Sequence, residues 1–267
     1  MTYKLRILSL GAGVQSSTLL LMAEKGVIQP FDCAIFADTG WEGKATYDWL
    51  DWLKQTCKTP IIVTGKDRNI MTDHLTHKKN CLLPVYTQHN GNNGMSHRLC
   101  TNEYKLVPIK KEVRNLLGLV PKQRSPKDAV EQVVGISLDE MRRMRISQER
   151  MSFLSYPLVE MRMTRHDCMN WLNRNGYPIP PKSSCVGCPF HSNREWKSLA
   201  PQEWKEAVAL DNRIRNIHGM KATLYLHKSR LPLEEVDLST PEERGQGAFD
   251  FVKDEKLNLF VNNLSIA

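Results

Sequence analysis

The sequence lacks a long hydrophobic run. Its most apolar stretch, Leu19–Ala23, is far shorter than the roughly 20 residues that an α-helix needs to cross a bilayer. The N-terminus enters a strand-like segment almost at once and shows no signal-peptide pattern, in which a charged region precedes an apolar core. We therefore expect a soluble cytoplasmic protein that has no membrane partner.

Disulfide bonds are not expected either, because the cytoplasm keeps thiols reduced. Seven cysteines are nevertheless present. Cys33 lies in an apolar strand pattern and Cys168 in an amphipathic helix pattern, so we interpret both as small core residues. Cys57 ends a helix pattern and has no obvious partner. The cysteines that remain to be explained are Cys81, Cys100, Cys185 and Cys188.

Acidic residues are scarce in one basic stretch. Between Arg98 and Lys127 the chain has eight Lys or Arg and only two acids, and the net charge of the whole chain is +8. Such an excess favours phosphate-bearing partners, from nucleotides to nucleic acid. The alternative is a solvated basic face that has no partner. The charge therefore indicates an anionic partner without identifying it.

Strand patterns and helix patterns alternate in the first quarter of the chain. The strand patterns are Lys4–Leu10, Asp32–Ala37 and Pro60–Val63, and the helix patterns are Gln15–Lys25 and Ala45–Cys57. This alternation predicts βαβ units. We expect an α/β fold with an open, mostly parallel sheet of about five strands and helices on both faces.

Regular patterns are sparser after Arg68, and the stretch from Arg68 to Gly94 is interpreted as loop. The later predicted elements are a helix at Glu103–Leu117, a strand at Gln132–Ile136, a helix from the Thr164 capping box to Gly176 and a helix at Trp204–His218. We predict a domain of residues 1–230 that contains the functional sites. Residues 231–267 are expected to pack on it as a tail or to form an oligomer contact, as in a homodimer.

A loop of small residues follows the first strand and opens the first helix. The N–H groups of such a helix start are free to bind phosphate. The loop is not a Walker A motif, because the Gly-Lys-Ser/Thr ending is missing, and a plain strand-to-helix turn would use similar residues. The candidate phosphate-binding residues are Ser9, Gly11, Ala12, Gly13, Ser16 and Ser17.

Polar residues also follow the second strand and the strand near Gln132. Asp38, Thr39 and Gly40 are expected to reach a ribose or a metal-bound phosphate, because ligands bind at the carboxyl ends of parallel strands. A helix N-cap is the alternative for this group. In the segment from Gly135 to Arg143, basic residues beside a carboxylate suit a phosphate or sulfate site. The alternative there is an exposed helix start.

The pair Cys185-Val-Gly-Cys188 is the strongest metal signal. A thioredoxin-like redox pair would stand at a helix start after the first strand of its fold, whereas this pair comes late, after several prolines. Metal binding fits better, because Cys-x-x-Cys can place two thiolates on one metal or cluster. Cys100 and Cys81 are the available further thiolates.

Taken in order, these segments resemble the phosphoadenylyl-sulfate (PAPS) reductase family within the PP-loop ATP pyrophosphatases, which have an adenine nucleotide alpha hydrolase-like fold. The resemblance covers roughly Lys4 to Trp196. Gln15 departs from it, since PP-loops commonly have Asp at that position. The matching motifs are Ser9-x-Gly11-Ala12, Phe36-x-Asp38-Thr39-Gly40, Gly135-x-x-x-Asp139-Glu140-x-x-Arg143, Tyr156-Pro157-Leu158 and Cys185-x-x-Cys188.

The resemblance implies that ATP and Mg²⁺ bind across the strand ends, with the phosphates at the small-residue loop and the nucleoside near Asp38. It adds Gly135 and Glu140 to the nucleotide-binding residues. It also implies catalytic roles for Asp38, Lys105 and Arg143. A [4Fe–4S] cluster would be held by Cys100, Cys185 and Cys188, with Cys81 as an optional fourth ligand; zinc is the alternative metal.

The family's assimilatory reductases use a cysteine near the C-terminus, and this sequence has no cysteine after Cys188. The resemblance therefore favours ATP-dependent sulfur transfer to nucleic acid, as in DNA phosphorothioation or tRNA thiolation, with a sulfur donor such as a cysteine desulfurase. One alternative is a reductase that releases sulfite from PAPS or adenylyl sulfate. Another is a nucleotide-binding accessory protein that contains structural zinc.

Overall fold

The computed structural model describes residues 4–76, 83–215 and 221–245. Cys81, the optional metal ligand, lies outside the described residues, as do residues 246–267 of the predicted tail. Within the described ranges, none of the helices has the length and apolar character that a bilayer crossing requires.

A five-stranded parallel sheet of strand order β3-β2-β1-β6-β7 forms the centre of the fold. This confirms the predicted fold class. A separate three-stranded antiparallel sheet has the order β5-β4-β8. The strands are β1 (Leu5–Leu10), β2 (Cys33–Ala37), β3 (Ile61–Thr64), β4 (Tyr86–His89), β5 (Asn92–Met95), β6 (Val130–Val134), β7 (Ser152–Ser155) and β8 (Thr223–Tyr225).

Helices cover both faces of the parallel sheet. Alternate residues of β1 face opposite sides, so Leu8 packs in one hydrophobic cluster with α1, α2 and α6, while Ile7 packs in another with α4. The helices are α1 (Val14–Glu24), α2 (Lys44–Thr56), α3 (Ile70–Thr76), α4 (Val107–Leu116), α5 (Pro157–Glu160), α6 (Arg165–Arg174), α7 (Asn193–Lys197) and α8 (Pro201–Ile214).

The interpretation of residues 68–94 as loop was wrong, because this stretch contains α3 and the β4–β5 hairpin. Asn90 and Gly91 both have positive φ, of 49° and 77°, and this makes the two-residue turn that suits the twist of a hairpin. Both strands are polar and their tips are exposed, so the sequence shows no alternation of apolar and polar residues there.

The predicted helix at Glu103–Leu117 is two helices. A π-helix at Asn102–Leu106 leads directly into α4, where Pro108 occupies the first turn and needs no N–H partner. The capping box predicted at Thr164 is confirmed, with reciprocal bonds to Asp167. The described part of the predicted tail packs on the domain, since Leu233 is buried in the cluster that contains α8.

Candidate functional site

The predicted ligand-binding edge lies at the point where the strand order reverses. From β1 the chain proceeds to β2 and β3 on one side, whereas β6 and β7 lie on the other side of β1. The space outside the carboxyl ends of β1 and β6 is therefore a topological switch point, where open α/β sheets bind ligands. The turn after β1 and the segment after β6 both lie there.

The turn Gly11–Gly13, which we call the anion loop, connects β1 to α1. Ala12 has a left-handed φ of 53°, and Gly13 is an N-cap that has no capping side chain. Helix geometry leaves the first N–H groups of α1 without intrahelical partners, and they carry the positive end of the helix dipole. A Cβ built on Gly11 would meet no atom nearer than Ser16 Oγ at 3.8 Å, so it would fit there at an ordinary contact distance. These features suit phosphate binding.

Three serines predicted to bind phosphate have different surroundings. Ser16 lies at the anion loop, where its Oγ accepts from the Gly11 N–H at 3.1 Å. Ser9 Oγ accepts from the side-chain amide of Gln132 at 2.8 Å. Ser17 is fully buried and accepts from the indole of Trp49 at 2.9 Å. Of the three hydroxyls, the geometry leaves that of Ser16 closest to a phosphate at the loop.

Gly135, which follows β6, packs directly against the start of α1. A Cβ at this position would lie 2.8 Å from the backbone nitrogen of Ser16 and 2.9 Å from its Cα, too close for any other residue without movement of the backbone. This contact holds the segment from Gly135 to Arg143 against the start of α1 and explains why glycine occupies position 135.

The side chain of Gln15 joins the anion loop to the segment after β6. Its amide Nε2 lies 3.3 Å from both Ser137 Oγ and Glu140 Oε2, and its carbonyl accepts from Arg165 at 2.9 Å. Arg143, predicted to be catalytic, forms an ion pair of 2.7 Å with Glu140, and its side chain is 64% exposed. A phosphate at the switch point would therefore have Arg143 on the solvent side.

The predicted nucleoside-binding residues after β2 form a tight turn. Asp38 Oδ1 accepts from the Gly40 N–H at 2.8 Å and from the Tyr47 hydroxyl at 2.7 Å. Gly40 has a φ of 70°, and a Cβ there would lie 2.3 Å from the Arg68 carbonyl oxygen. Burial, together with the hydrogen bond to Asp38, raises the pKa of Tyr47, which therefore remains a donor to the carboxylate at neutral pH.

A polar cluster around the buried Glu42, which we call the Glu42 cluster, joins the end of β2 to the Cys185 segment; its members are Thr39, Glu42, Lys105 and Cys185. Glu42 Oε1 accepts from Thr39 Oγ1 at 3.0 Å and lies 3.6 Å from both Cys185 Sγ and Lys105 Nζ. Glu42 is 4% exposed, and its Oε2 has no hydrogen-bond partner among the described residues. The cluster therefore contains a buried carboxylate oxygen that is free to bind a ligand.

Charges within the Glu42 cluster shift the pKa values of its members. The Glu42 carboxylate raises the pKa of Lys105, and burial opposes this effect. Burial raises the pKa of the Cys185 thiol well above its usual value, and Glu42 adds to the shift. Cys185 is therefore a neutral thiol near pH 7, and a bound metal ion would be needed to deprotonate it.

Cys100 and Cys188 lie within electrostatic reach of the same cluster. Burial raises the pKa of Cys188, the Phe190 N–H opposes this, and Cys100 raises it further, with Arg98 and Lys182 acting as nearby cations. Thiolates are the donors that iron–sulfur clusters and zinc prefer, and the unpartnered Glu42 oxygen beside them is consistent with such a group. In the part of the chain that the structure describes, however, no set of three or more His, Cys, Asp or Glu side chains is arranged to hold a metal ion.

Gly187 allows the Cys185–Cys188 turn to lie flat against Trp41. A Cβ on this glycine would be 2.4 Å from the indole ring. The backbone of Trp41 accepts from the Val186 N–H at 3.0 Å, and its indole donates to Glu206 at 2.9 Å. The small residues inside the Cys-x-x-Cys motif thus pack the thiols against the segment that follows β2.

Ser183 connects the anion loop to the thiols. Its Oγ donates to the Gly11 carbonyl, and its Cβ lies 3.7 Å from the position that a Cβ on Gly13 would occupy. Cys185 follows two residues later. Because an extended chain covers about 3.5 Å per residue, no more than about 7 Å of backbone separates the two parts of the site.

Several cations of the basic stretch 98–127 already have partners. Lys110 forms an ion pair with Glu149 at 2.7 Å, and Arg114 donates to Ser125 and to two backbone carbonyls. Within the described ranges, the exposed cations of the stretch that have neither an ion pair nor a hydrogen bond are Arg98, Lys111, Lys122 and Arg124. The surface available to a polyanion is therefore smaller than the sequence predicts.

No protein-family model matches the sequence, and no curated protein matches it either. Among solved structures, the chain is similar to a PAPS reductase from Candida auris in its phosphate complex. The TM-score is 0.47 at 14% sequence identity, and the alignment covers 67% of this chain and 76% of that chain. At this level the likeness carries no argument about what this chain binds or does.

Sequence reasoning missed two residues that the structure places at the centre of the site. Glu42 follows Asp38 closely in the sequence, so its position after β2 could have identified it as a candidate site residue. Ser183 offered none, because its contact with Gly11 joins segments that are far apart along the chain.

Proposed function

We propose that this protein is an ATP-dependent enzyme that adenylates an oxygen atom of an acceptor and then replaces that oxygen with sulfur. The observation that supports this most is the Ser183 contact, because it joins the anion loop to the segment that carries the half-buried Cys185 and Cys188. Nucleotide activation and sulfur transfer require those two features to be neighbours. The acceptor that we propose is nucleic acid, for which the unpaired cations of the basic stretch provide charge complementarity.

In the first step of this proposal, the acceptor oxygen attacks the α-phosphate of ATP, and pyrophosphate leaves. The N–H groups at the start of α1 and Ser16 Oγ would bind the phosphates, and Asp38 would orient the nucleoside or an associated Mg²⁺. Arg143 would neutralise charge from the solvent side. In the second step, sulfur displaces AMP, so that the acceptor loses one oxygen and gains one sulfur.

Cys100, Cys185 and Cys188 are proposed to hold a [4Fe–4S] cluster, with zinc as the alternative and Cys81 as an optional ligand. Such a cluster would supply a binding site for sulfide from a donor such as a cysteine desulfurase, and to hold it the three thiols would have to come together, since the described residues contain no ready set of three metal ligands. Lys105 is held by Glu42 and stays protonated, so it can stabilise negative charge on the sulfur atoms.

ATP binding and pyrophosphate release in the presence of an oligonucleotide test the proposal. Gly11→Val should fold, because a Cβ at this position meets Ser16 Oγ at an ordinary contact distance of 3.8 Å, and should abolish ATP binding in calorimetry by filling the space of a phosphate. Asp38→Ala should weaken ATP binding, whereas Asp48→Ala, which removes an exposed carboxylate of α2, should not. Normal ATP binding by a folded Gly11→Val protein would exclude the anion loop.

Two other outcomes would replace the proposal. ATP binding without pyrophosphate release, together with bound zinc, would indicate an accessory protein. Release of sulfite from PAPS or adenylyl sulfate with thioredoxin as reductant, and no pyrophosphate release from ATP, would indicate a reductase.

A further inference from the structure

Two aromatic rings, each with a guanidinium group over it, lie near Cys188. Arg98 lies over the Phe190 ring at 5.4 Å from its centroid, and Arg230 lies over Tyr86 at 5.6 Å. Phe190 belongs to the turn that begins at Cys188, since the His191 N–H donates to the Cys188 carbonyl at 3.0 Å.

The two pairs differ in what their arginines do. Arg230 donates to the backbone carbonyls of Thr87, Lys228 and Gly94, so its guanidinium holds the β4–β5 hairpin against the chain that follows β8. Arg98 has no hydrogen bond or ion pair to any residue within the described ranges, and its contact with Phe190 is a cation–π contact. The Arg230–Tyr86 pair is therefore structural, whereas in the Arg98–Phe190 pair the guanidinium of Arg98 is available to a ligand.

Phe190 is 46% exposed and stands two residues after the half-buried Cys188. Leu99, the neighbour of Arg98 in the chain, is 38% exposed, and Lys182 is a further exposed cation that pairs with Glu195 at 2.5 Å. An exposed aromatic ring next to a cation that has no ion pair is a combination that binds unpaired nucleotides, because the base stacks on the ring and the phosphate pairs with the cation.

We propose that Phe190 and Arg98 form a platform for one unpaired nucleotide, whose base stacks on Phe190 and whose phosphate pairs with Arg98. This inference rests on the proposed function and makes it more specific, because the acceptor is then single-stranded or has its target base extruded. A nucleotide whose base stacks on Phe190 would lie beside the turn that begins at Cys188, two residues earlier in the chain. A duplex does not offer a free base face and would bind only through its charge.

The test measures binding of a single strand of about 10 nucleotides that carries one 2-aminopurine, as DNA and as RNA, with the matching duplexes for comparison. Phe190→Ala should weaken single-strand binding about tenfold, equivalent to about 1.4 kcal/mol, since the base loses its stacking contact. It should also remove the fluorescence quenching that stacking causes. Phe190→Trp should keep both, and Arg98→Gln should lower the dependence of binding on salt by about one ion.

Ile146→Ala is the matched control, because Ile146 is an apolar side chain that is 92% exposed on another loop. This variant should bind both probes as the unchanged protein does. Single-strand binding and quenching that survive Phe190→Ala would overturn the platform, and so would equal losses for single strand and duplex. If Phe190 controls single-strand binding but no pyrophosphate is released from ATP, the platform stands and the proposed reaction fails.

Discussion

Two parts of the candidate site are built by different kinds of contact. One is the switch point, and the other is the surroundings of Cys100, Cys185 and Cys188, which we call the thiol region. At the switch point, backbone approaches backbone, because Gly135 touches the start of α1; Gly40, after β2, approaches the chain at Arg68 in the same way. In the thiol region, polar side chains from distant segments converge, as in the Glu42 cluster and around Asp211 of α8. Substitutions that add side-chain volume should therefore destabilise the switch point, whereas substitutions that remove a charge or a hydrogen bond should destabilise the thiol region.

Removal of the Asp211 carboxylate should have the largest effect on stability. Asp211 is fully buried and accepts from the Leu226 and Leu233 N–H groups at 2.8 and 2.9 Å, and it pairs with Arg215. Asp211→Ala leaves these donors and a charge unpaired, so we expect a loss of about 3–5 kcal/mol in the free energy of unfolding in urea. Asp237→Ala, at an exposed ion pair with Arg244, should change little. Similar values for the two variants would contradict this account.

Acidification should weaken the thiol region through His191. Burial lowers the pKa of His191 from 6.5 to about 4, so the unfolded state binds a proton more readily than the folded state. Stability from this residue is present above about pH 6.5 and is lost as the pH falls towards 4, by up to about 3 kcal/mol. His191→Gln should remove this part of the pH dependence. The check is the difference in unfolding free energy between the two proteins from pH 7 to pH 4, and a constant difference would show that His191 does not titrate in this way.

Alanine substitutions at Gly135 and Gly11, both at the switch point, should differ in their effect on stability. Gly135→Ala places a Cβ against backbone atoms of Ser16, so we expect a loss of about 1–3 kcal/mol and weaker ATP binding as α1 shifts. At Gly11 an added Cβ stays 3.8 Å from its nearest neighbour. Gly11→Ala should therefore keep the unfolding midpoint. Equal destabilisation by the two alanines would show that the close contact at Gly135 is not important.

The smallest expected effect lies on the surface of α4. Lys111 is exposed and unpaired within the described residues, whereas Lys110 pairs with Glu149. Lys111→Gln should reduce the salt dependence of nucleic-acid binding by about one ion, and Lys110→Gln should reduce it less. Binding titrations at several salt concentrations measure this dependence. A larger effect at Lys110 would place the polyanion elsewhere.

Local patterns were sufficient to predict the parallel sheet and the turn that joins β1 to α1. The strand at Lys4–Leu10, the small residues after it and the helix to Lys25 are contiguous, so each signal supports the next. Asp38 was found for the same reason, because it directly follows an apolar strand. In these cases, the residues that form the feature are neighbours in the sequence.

The missed features depend on contacts between distant segments or on weak patterns. The β4–β5 hairpin has polar residues on both faces, and only Asn90-Gly91 indicates its turn. The Glu42 cluster needs residues from three segments, and the role of Ser183 depends on a contact with Gly11 across most of the chain. The π-helix before α4 was also missed. It differs from an α-helix by about one residue per turn, and the spacing of apolar residues over so short a segment does not distinguish the two.

That extra residue has a consequence for the register of the chain. A π-helix forms i to i+5 hydrogen bonds, so residues five apart lie nearly above one another, whereas in an α-helix they would be rotated by about 140°. Cys100 and Lys105 are five apart at this segment, and the two lie within electrostatic reach of each other. Regular α-helical winding of the same five-residue spacing would turn one of the two side chains away from the thiols. The insertion thus acts as an angular spacer that keeps a cysteine and an amine on the same side of one helix.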